Sequence, residues 1–282
     1  MRSAKAALTI SVLRLRQCVK SERTIMVAVL MGIYAFSTVQ PVVDFARSVE
    51  ERITPYAPPF VINDIVCQMF LMIASIALFS SAPFKDDLYA YLLPRSGKTA
   101  MVLGNLLGIY WVALLYVAYL FLMMAAPMVG SLTLEAKWGK IWSTMAVYPP
   151  DSSFGIMFSV SDAIRVRFSP LSAMTLVYFL ESACVAFLGV CVYLGNQLTD
   201  RPLGLWLACG FSVLDITVYN IFPDSFNRFS PLALTRLSNY ASGYSLPMGR
   251  SSVYGFLFYG FGIALMTLII RLDEGARKNL SL

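Results

Sequence analysis

The sequence predicts an all-α integral membrane protein: six transmembrane helices, an N-terminal interfacial amphipathic helix and an external re-entrant helix before the last span. Three observations point there. Of the 282 residues, 58% are hydrophobic and only 13% charged, whereas soluble domains carry about 25% charged residues. Apolar runs of membrane length recur six times along the chain. Lys and Arg are densest beside the first of those runs. The length and even layout fit a single transmembrane domain over 1–282.

The first element is a helix over 3–22. Leu8, Val12, Leu15 and Val19 align on one face, flanked by Lys5, Arg16, Lys20 and Arg23. Such a helix lies in the membrane interface with its basic side toward anionic headgroups. The competing reading is a solvated basic tail. A signal peptide is not expected, because the basic stretch is long and no small-residue cleavage site follows the apolar run.

A helix needs about 20 apolar residues to cross a hydrocarbon layer of about 30 Å. The spans are expected at about 25–43, 62–84, 99–128, 170–198, 202–223 and 251–270. The runs 25–43, 65–84 and 251–270 contain no charge, whereas the fourth span carries Glu181 and the fifth Asp215. Six spans put both termini on one side. With the N-terminus inside, thirteen of the 22 Lys and Arg fall on the cytoplasmic side, as the positive-inside rule favours.

Between the second and third spans lies a short segment, 84–98. Asp86 or Asp87 can cap a helix, 88–93 supplies about two turns and Pro94 is expected to end it. This is either a docking helix for another protein or an ordinary solvated turn. Gly97-Lys98-Thr99 imitates the end of a phosphate-binding loop. The first glycine of that motif would fall at Leu92, so nucleotide binding is rejected.

The external loops are expected at 129–168 and 224–250. In the first, Trp138, Ile141, Trp142 and Met145 fall at helical spacing and predict a helix resting at the outer interface. Ile164, Val166 and Phe168 alternate with Arg165 and Arg167, which predicts an extended stretch. The pentapeptide Arg-Phe-Ser-Pro-Leu occurs at 167–171 and again at 228–232. In both copies serine can cap a helix whose first residue is proline. The first copy opens the fourth span. The second opens 231–240, too short and polar to cross, which is expected to dip in from outside with Ser230, Pro231 and Arg236 as its polar features. Coincidence between two good capping sequences is the alternative.

There is no histidine, so Ser–His and Cys–His catalysis are excluded. Cys18, Cys67, Cys184, Cys191 and Cys209 have no metal-binding spacing. No catalytic residue, metal site or nucleic-acid partner is expected; membrane lipid is. Glu181 lies about 17 Å into its span and Asp215 about 18 Å, at 1.5 Å per residue. No Lys or Arg occupies a span, so both acids are expected to be protonated, bonded to groups such as Ser182, Thr217 or Asn220, or turned toward water. They serve either as interhelical hydrogen-bonding groups or as substrate-contacting carboxylates.

Three stretches carry a family resemblance. Ala82-Pro83-Phe84 through Pro94-Arg95-Ser96-Gly97-Lys98 runs into Met101-Val102-Leu103-Gly104-Asn105. Ser169-Pro170-Leu171-Ser172-Ala173-Met174 is followed by Phe187-Leu188-Gly189 and Tyr193-Leu194-Gly195-Asn196. The third stretch is 229–240. With the six-span layout, they resemble the permease subunits of bacterial type-2 ABC exporters. The resemblance implies a chain in the bacterial cytoplasmic membrane, both termini cytoplasmic, paired with a second permease chain, identical or related. It implies a separate ATP-binding cassette subunit that carries ATP and Mg, with no cofactor on this chain and no enzyme activity of its own. Asp86, Asp87, Tyr89, Arg95 and Lys98 would contact that subunit through a coupling helix. The 129–168 loop is longer than the family's minimal layout. Two other functions compete: a stand-alone ion- or proton-coupled carrier or channel using Glu181 and Asp215, and a non-transporting anchor or immunity subunit.

Overall fold

The structure, a computed structural model, describes residues 2–84, 87–148, 154–199, 201–241 and 251–279. In chain order the helices are α1 (Arg2–Lys20), α2 (Glu22–Ser48), α3 (Pro58–Val61), α4 (Ile65–Leu78), α5 (Asp87–Ser96), α6 (Lys98–Ala125), α7 (Gly139–Val147), α8 (Asp162–Arg167), α9 (Pro170–Thr199), α10 (Leu203–Ile221), α11 (Ser238–Ala241) and α12 (Val253–Asn279). Among the described residues β pairing is limited to one isolated bridge, Ile53 to Leu132.

Five helices, α2, α6, α9, α10 and α12, are long and apolar enough to cross a membrane. The expected span 62–84 is different. Its helix, α4, has 14 residues, about 21 Å at 1.5 Å per residue, which falls short of a ~30 Å layer. Both ends have local causes. The Asp64 carboxylate accepts the N–H groups of Val66 and Cys67 and fixes the start. At the other end Ser80, Ser81 and Pro83 follow, and Phe84 sits in the left-handed region at φ 59°, so the chain leaves the helix in turns.

The centre of the bundle is α9. Two-thirds of its apolar stretch is buried (67%), against 28–39% in the other four long helices. It packs on α4, α6, α10 and α12.

Helix α1 packs along α6, through a face other than most of its apolar stripe. Ala7, Ile10, Ser11 and Arg14 are buried, while Leu8, Val12 and Val19 are about half exposed (53%, 44% and 53%). The inner face is set by α6. A Cβ on Gly104 would stand 2.6 Å from Ile10 Cβ and 3.0 Å from the Ala7 carbonyl oxygen. A glycine there lets the two backbones approach closely, as small residues do between membrane helices. The Leu8–Val12–Val19 stripe is thus the outer face of a helix already docked on its other side.

The segment before α6 also differs in one respect. Helix α5 continues through Pro94 to Ser96 and ends at Gly97. The Gly97 N–H closes the last turn on the Leu93 carbonyl at 3.1 Å, and its φ of +78° turns the chain into α6. Proline removes one N–H from a ladder; the positive φ reverses the chain, and it decides the boundary.

At the end of the bundle away from α1, the 129–168 loop is folded onto 49–64. The Thr54 hydroxyl donates to the Trp138 carbonyl at 2.8 Å, and the Trp142 indole N–H donates to the Thr54 carbonyl at 2.9 Å. Phe60 stacks on Trp142 at 5.3 Å between ring centroids. Trp138 and Trp142 are therefore buried in a cap, not laid on an interface. The expected extended stretch at 164–168 is instead α8 and its C-terminal flank. Asp162 lies in the first turn of that helix and pairs with Arg165 at 2.7 Å, a local i,i+3 contact that outweighs the alternating pattern.

Candidate functional site: a buried polar hub under the 129–168 cap

Segment 224–241 is built of 3-10 turns (Asp224–Phe229 and Ala233–Thr235) and the short helix α11, and its middle, Ser230 to Leu237, is buried. The two Arg-Phe-Ser-Pro-Leu copies therefore diverge. The first behaves as expected: the Ser169 hydroxyl accepts the Ser172 N–H and Pro170 opens α9. In the second, side chains compete for the backbone. The Thr235 hydroxyl donates to the Leu232 carbonyl and the Asn239 amide to the Ala233 carbonyl at 2.6 Å. Such local bonds draw a chain out of α-helical register.

What the segment delivers is Arg236. Its guanidinium is buried and forms an ion pair with Asp215 on α10. Its Nε donates to the Gln68 side-chain oxygen on α4 at 2.7 Å. The Gln68 amide in turn donates to the Leu232 carbonyl at 2.8 Å and to the Thr235 hydroxyl. Ser230 donates to the other Asp215 oxygen and accepts the Ala233 N–H at 3.4 Å. Helix α12 supports the segment: the Tyr259 hydroxyl donates to the Pro231 carbonyl and the Tyr254 hydroxyl to the Arg228 carbonyl.

The expectation that Asp215 has no cationic partner within the layer is thereby corrected. The cation comes from outside the spans, carried in by a segment that is neither loop nor regular helix, and Thr217 and Asn220 bond back to their own helix. Glu181 on α9 faces the same hub, beside Thr235, Arg236 and Gln68. It is fully buried against the Thr235 hydroxyl and the Gln68 side chain. The hydroxyls of Ser182 and Ser212 are buried and unpaired.

A second polar cluster sits at the α1 end. Arg14, 4% exposed, donates to the Asn105 side chain at 3.0 Å, to Gln17 at 2.8 Å and to the Phe84 carbonyl at 3.0 Å. Its guanidinium carbon lies 5.6 Å from the Phe84 ring centroid. Nearby the Asn196 amide donates to the Ala82 carbonyl at 2.7 Å, and its oxygen accepts the Gly204 N–H at 2.9 Å. The turn leading to α5 is thus held by α1, α6 and α9 together.

Of the residues singled out in the sequence, Glu181, Asp215, Ser230, Pro231 and Arg236 gather in the first hub. Arg95 and Lys98 are exposed at the opposite end, with Arg95 4.2 Å from the Tyr91 ring centroid. Asp86 and the side chains of Asp87 and Tyr89 lie outside the described residues. Three residues were not anticipated. Gln68 is the only amide or charge in α4, a signal visible in the sequence. Arg14 follows Ala7 and Ile10 on the inner face of α1 and was masked by the stronger outer stripe. Asn105 had no sequence signal beyond being polar in a span.

Five long apolar helices, one of them (α9) mostly buried, define the class: an all-helical, multi-pass membrane protein. Comparison with protein-family models, curated proteins and solved structures finds no match that narrows it further.

Proposed function

We propose that this chain is the permease subunit of an ATP-driven exporter, working with a second permease chain and with separate ATP-binding subunits that carry ATP and Mg. On this reading α4 and its flanking turns complete a sixth crossing, both termini face the cytoplasm of a bacterial cell, and segment 224–241 is re-entrant from outside. The observation that carries the proposal is the α5 connection. A short helix with exposed Arg95 lies between α4 and α6 in the chain, exposed Lys98 opens α6, and the approach to α5 is fastened to α1 and α6 through Phe84, Arg14 and Asn105. A push on α5 would reach α6 and α9 through those bonds. The test is a pull-down of the tagged chain from native membranes, with mass spectrometry and an ATPase assay. An ATP-binding subunit is expected to co-purify and to be lost when Asp87 and Arg95 are reversed in charge. Recovery of the chain alone, without ATPase activity, overturns the reading.

A stand-alone carrier driven by an ion or proton gradient is supported by one feature, the fully buried Glu181 carboxyl beside the Asp215–Arg236 pair. Gradient-driven uptake by the purified chain in vesicles, abolished by Glu181→Gln, would establish that reading over the exporter.

A further inference from the structure

Where α1 turns into α2, the bundle holds a cavity of about 490 Å³. Its polar wall carries the Arg14 and Arg23 guanidinium groups, the Glu22 carboxylate, and Gln17, Ser21 and Ser81. Ser21 caps α2 and Glu22 opens it, so the helix start places this exposed acidic residue in the chamber lining. Arg23 is aimed across toward α4 by a bond to the Ser80 hydroxyl at 3.0 Å. Cys18 and Leu78 belong both to this chamber and to a second, narrower cavity of about 110 Å³. The second cavity is almost wholly apolar, lined by Leu15, Val19, Val27, Ala28, Val112 and Leu115. It runs along the first turns of α2 against α6. Val19 and Leu115 stand half exposed at its edge (53% and 51%), so it opens sideways to the lipid-facing surface of the bundle.

A polar chamber continuous with an apolar groove, at the level of an interfacial helix, is complementary to an amphiphile lying in one leaflet. The charges narrow the class. Two guanidinium groups match a phosphodiester, since arginine presents paired donors to phosphate oxygens. A carboxylate beside them would repel a second anion and would bind an ammonium group. We propose that this chamber and groove hold one membrane glycerophospholipid of the ethanolamine class, its phosphate between Arg14 and Arg23, its ammonium on Glu22 and an acyl chain in the groove. The bound lipid then fills the space between α1 and α2, bearing on the same Arg14 and Phe84 that fasten the approach to α5. The inference does not depend on how transport is driven.

Native mass spectrometry of the full chain in mild detergent tests it, with phosphatidylethanolamine, phosphatidylglycerol and phosphatidylcholine added in equal amounts. Phosphatidylethanolamine is expected to be retained preferentially. Arg23→Ala, which removes one charged hydrogen-bond donor at an exposed position, is expected to weaken its retention by about tenfold. Ala28→Trp is expected to block the groove with a similar loss, and Glu22→Gln to abolish the preference for ethanolamine over glycerol. Millimolar inorganic phosphate should not displace the lipid. Equal retention of the three lipids, retention unchanged in Arg23→Ala and Glu22→Gln, or displacement by phosphate alone would overturn the proposal. Arg23→Ala and Glu22→Gln alter exposed side chains, so the test stands even where Ala28→Trp fails to fold.

Discussion

Among the described residues two arginines are buried, one at each end of the bundle, and neither belongs to a long span. Arg236 is 3% exposed and Arg14 4%, yet they are accommodated differently. Arg236 meets a buried carboxylate, Asp215, and an amide, Gln68. Arg14 donates to two side-chain amides and a backbone carbonyl, and it borders the 490 Å³ chamber. The Arg236 arrangement couples two opposite charges in a buried site, where removal of either strands the other. The Arg14 arrangement joins a charge to neutral acceptors beside a space that water can enter. In both, a non-spanning element is fixed to the spans by one side chain, but only at the Arg236 end does that fixing store a large penalty for separation.

The sharpest way to break the comparison is Arg236→Met. It leaves the Asp215 charge in an apolar interior and removes the donor to Gln68. We expect a loss of about 3–5 kcal/mol, the range for a buried pair deprived of one partner, read as unfolding in detergent by denaturant or heat. Asp215→Leu in the same chain should recover about half or more of that loss, because a buried pair replaced on both sides by apolar groups is nearly neutral. A double variant as unstable as the single would mean that Gln68 and Ser230, and not the ion pair, dominate the hub.

Arg14→Ala should cost less, roughly 1.5–3 kcal/mol, the scale of a hydrogen bond to a charged group. Its acceptors are neutral and can turn to water in the chamber. Arg14→Lys should recover only part, since one ammonium cannot reach Asn105, Gln17 and Phe84 in the fork geometry that a guanidinium provides. Limited proteolysis near α1 would report detachment of that helix directly. A loss for Arg14→Ala equal to that for Arg236→Met would erase the distinction between the two ends.

How much of this was legible in the sequence follows the same division. Apolar length and charge placement are properties of a contiguous run, so 25–43, 99–128, 170–198, 202–223 and 251–270 correspond to helices that can cross. The shortening of 62–84 to Ile65–Leu78 depends on Asp64 and the turns at 79–84, local features that a hydropathy window averages away. Glu181, Asp215 and Arg236 stand out as polar residues in poor surroundings. Their convergence was not readable, because the separation from Asp215 to Arg236 is spanned by 3-10 turns whose path depends on Gln68, Tyr259 and Ser230. The inner face of α1 was hidden for a related reason. What selects it is Gly104 on another helix, and no periodicity within 3–22 contains that information.

The smallest expected effect marks the other limit of the comparison, an ion pair with no burial. Lys140 on α7 meets Glu51 at 2.6 Å, with side chains 77% and 39% exposed. The hydrogen bond and the charge of Glu51 raise the Lys140 pKa. A lysine pKa raised in the folded state means that the folded protein holds the proton more tightly. The pair's contribution is thus fully present below the ordinary lysine value of about 10.4 and is lost as pH rises through the folded value. Between pH 6 and 9 it is constant, and in water-exposed surroundings it is screened by salt. Lys140→Met should therefore leave the unfolding midpoint unchanged within error at physiological salt, and any small loss seen at low salt should vanish above about pH 10. The Arg236→Met difference should persist at high salt, because the Asp215 pair lies beyond the reach of mobile ions. If Lys140→Met proved as damaging as Arg14→Ala, proximity of charge and not burial would govern both ends of the bundle.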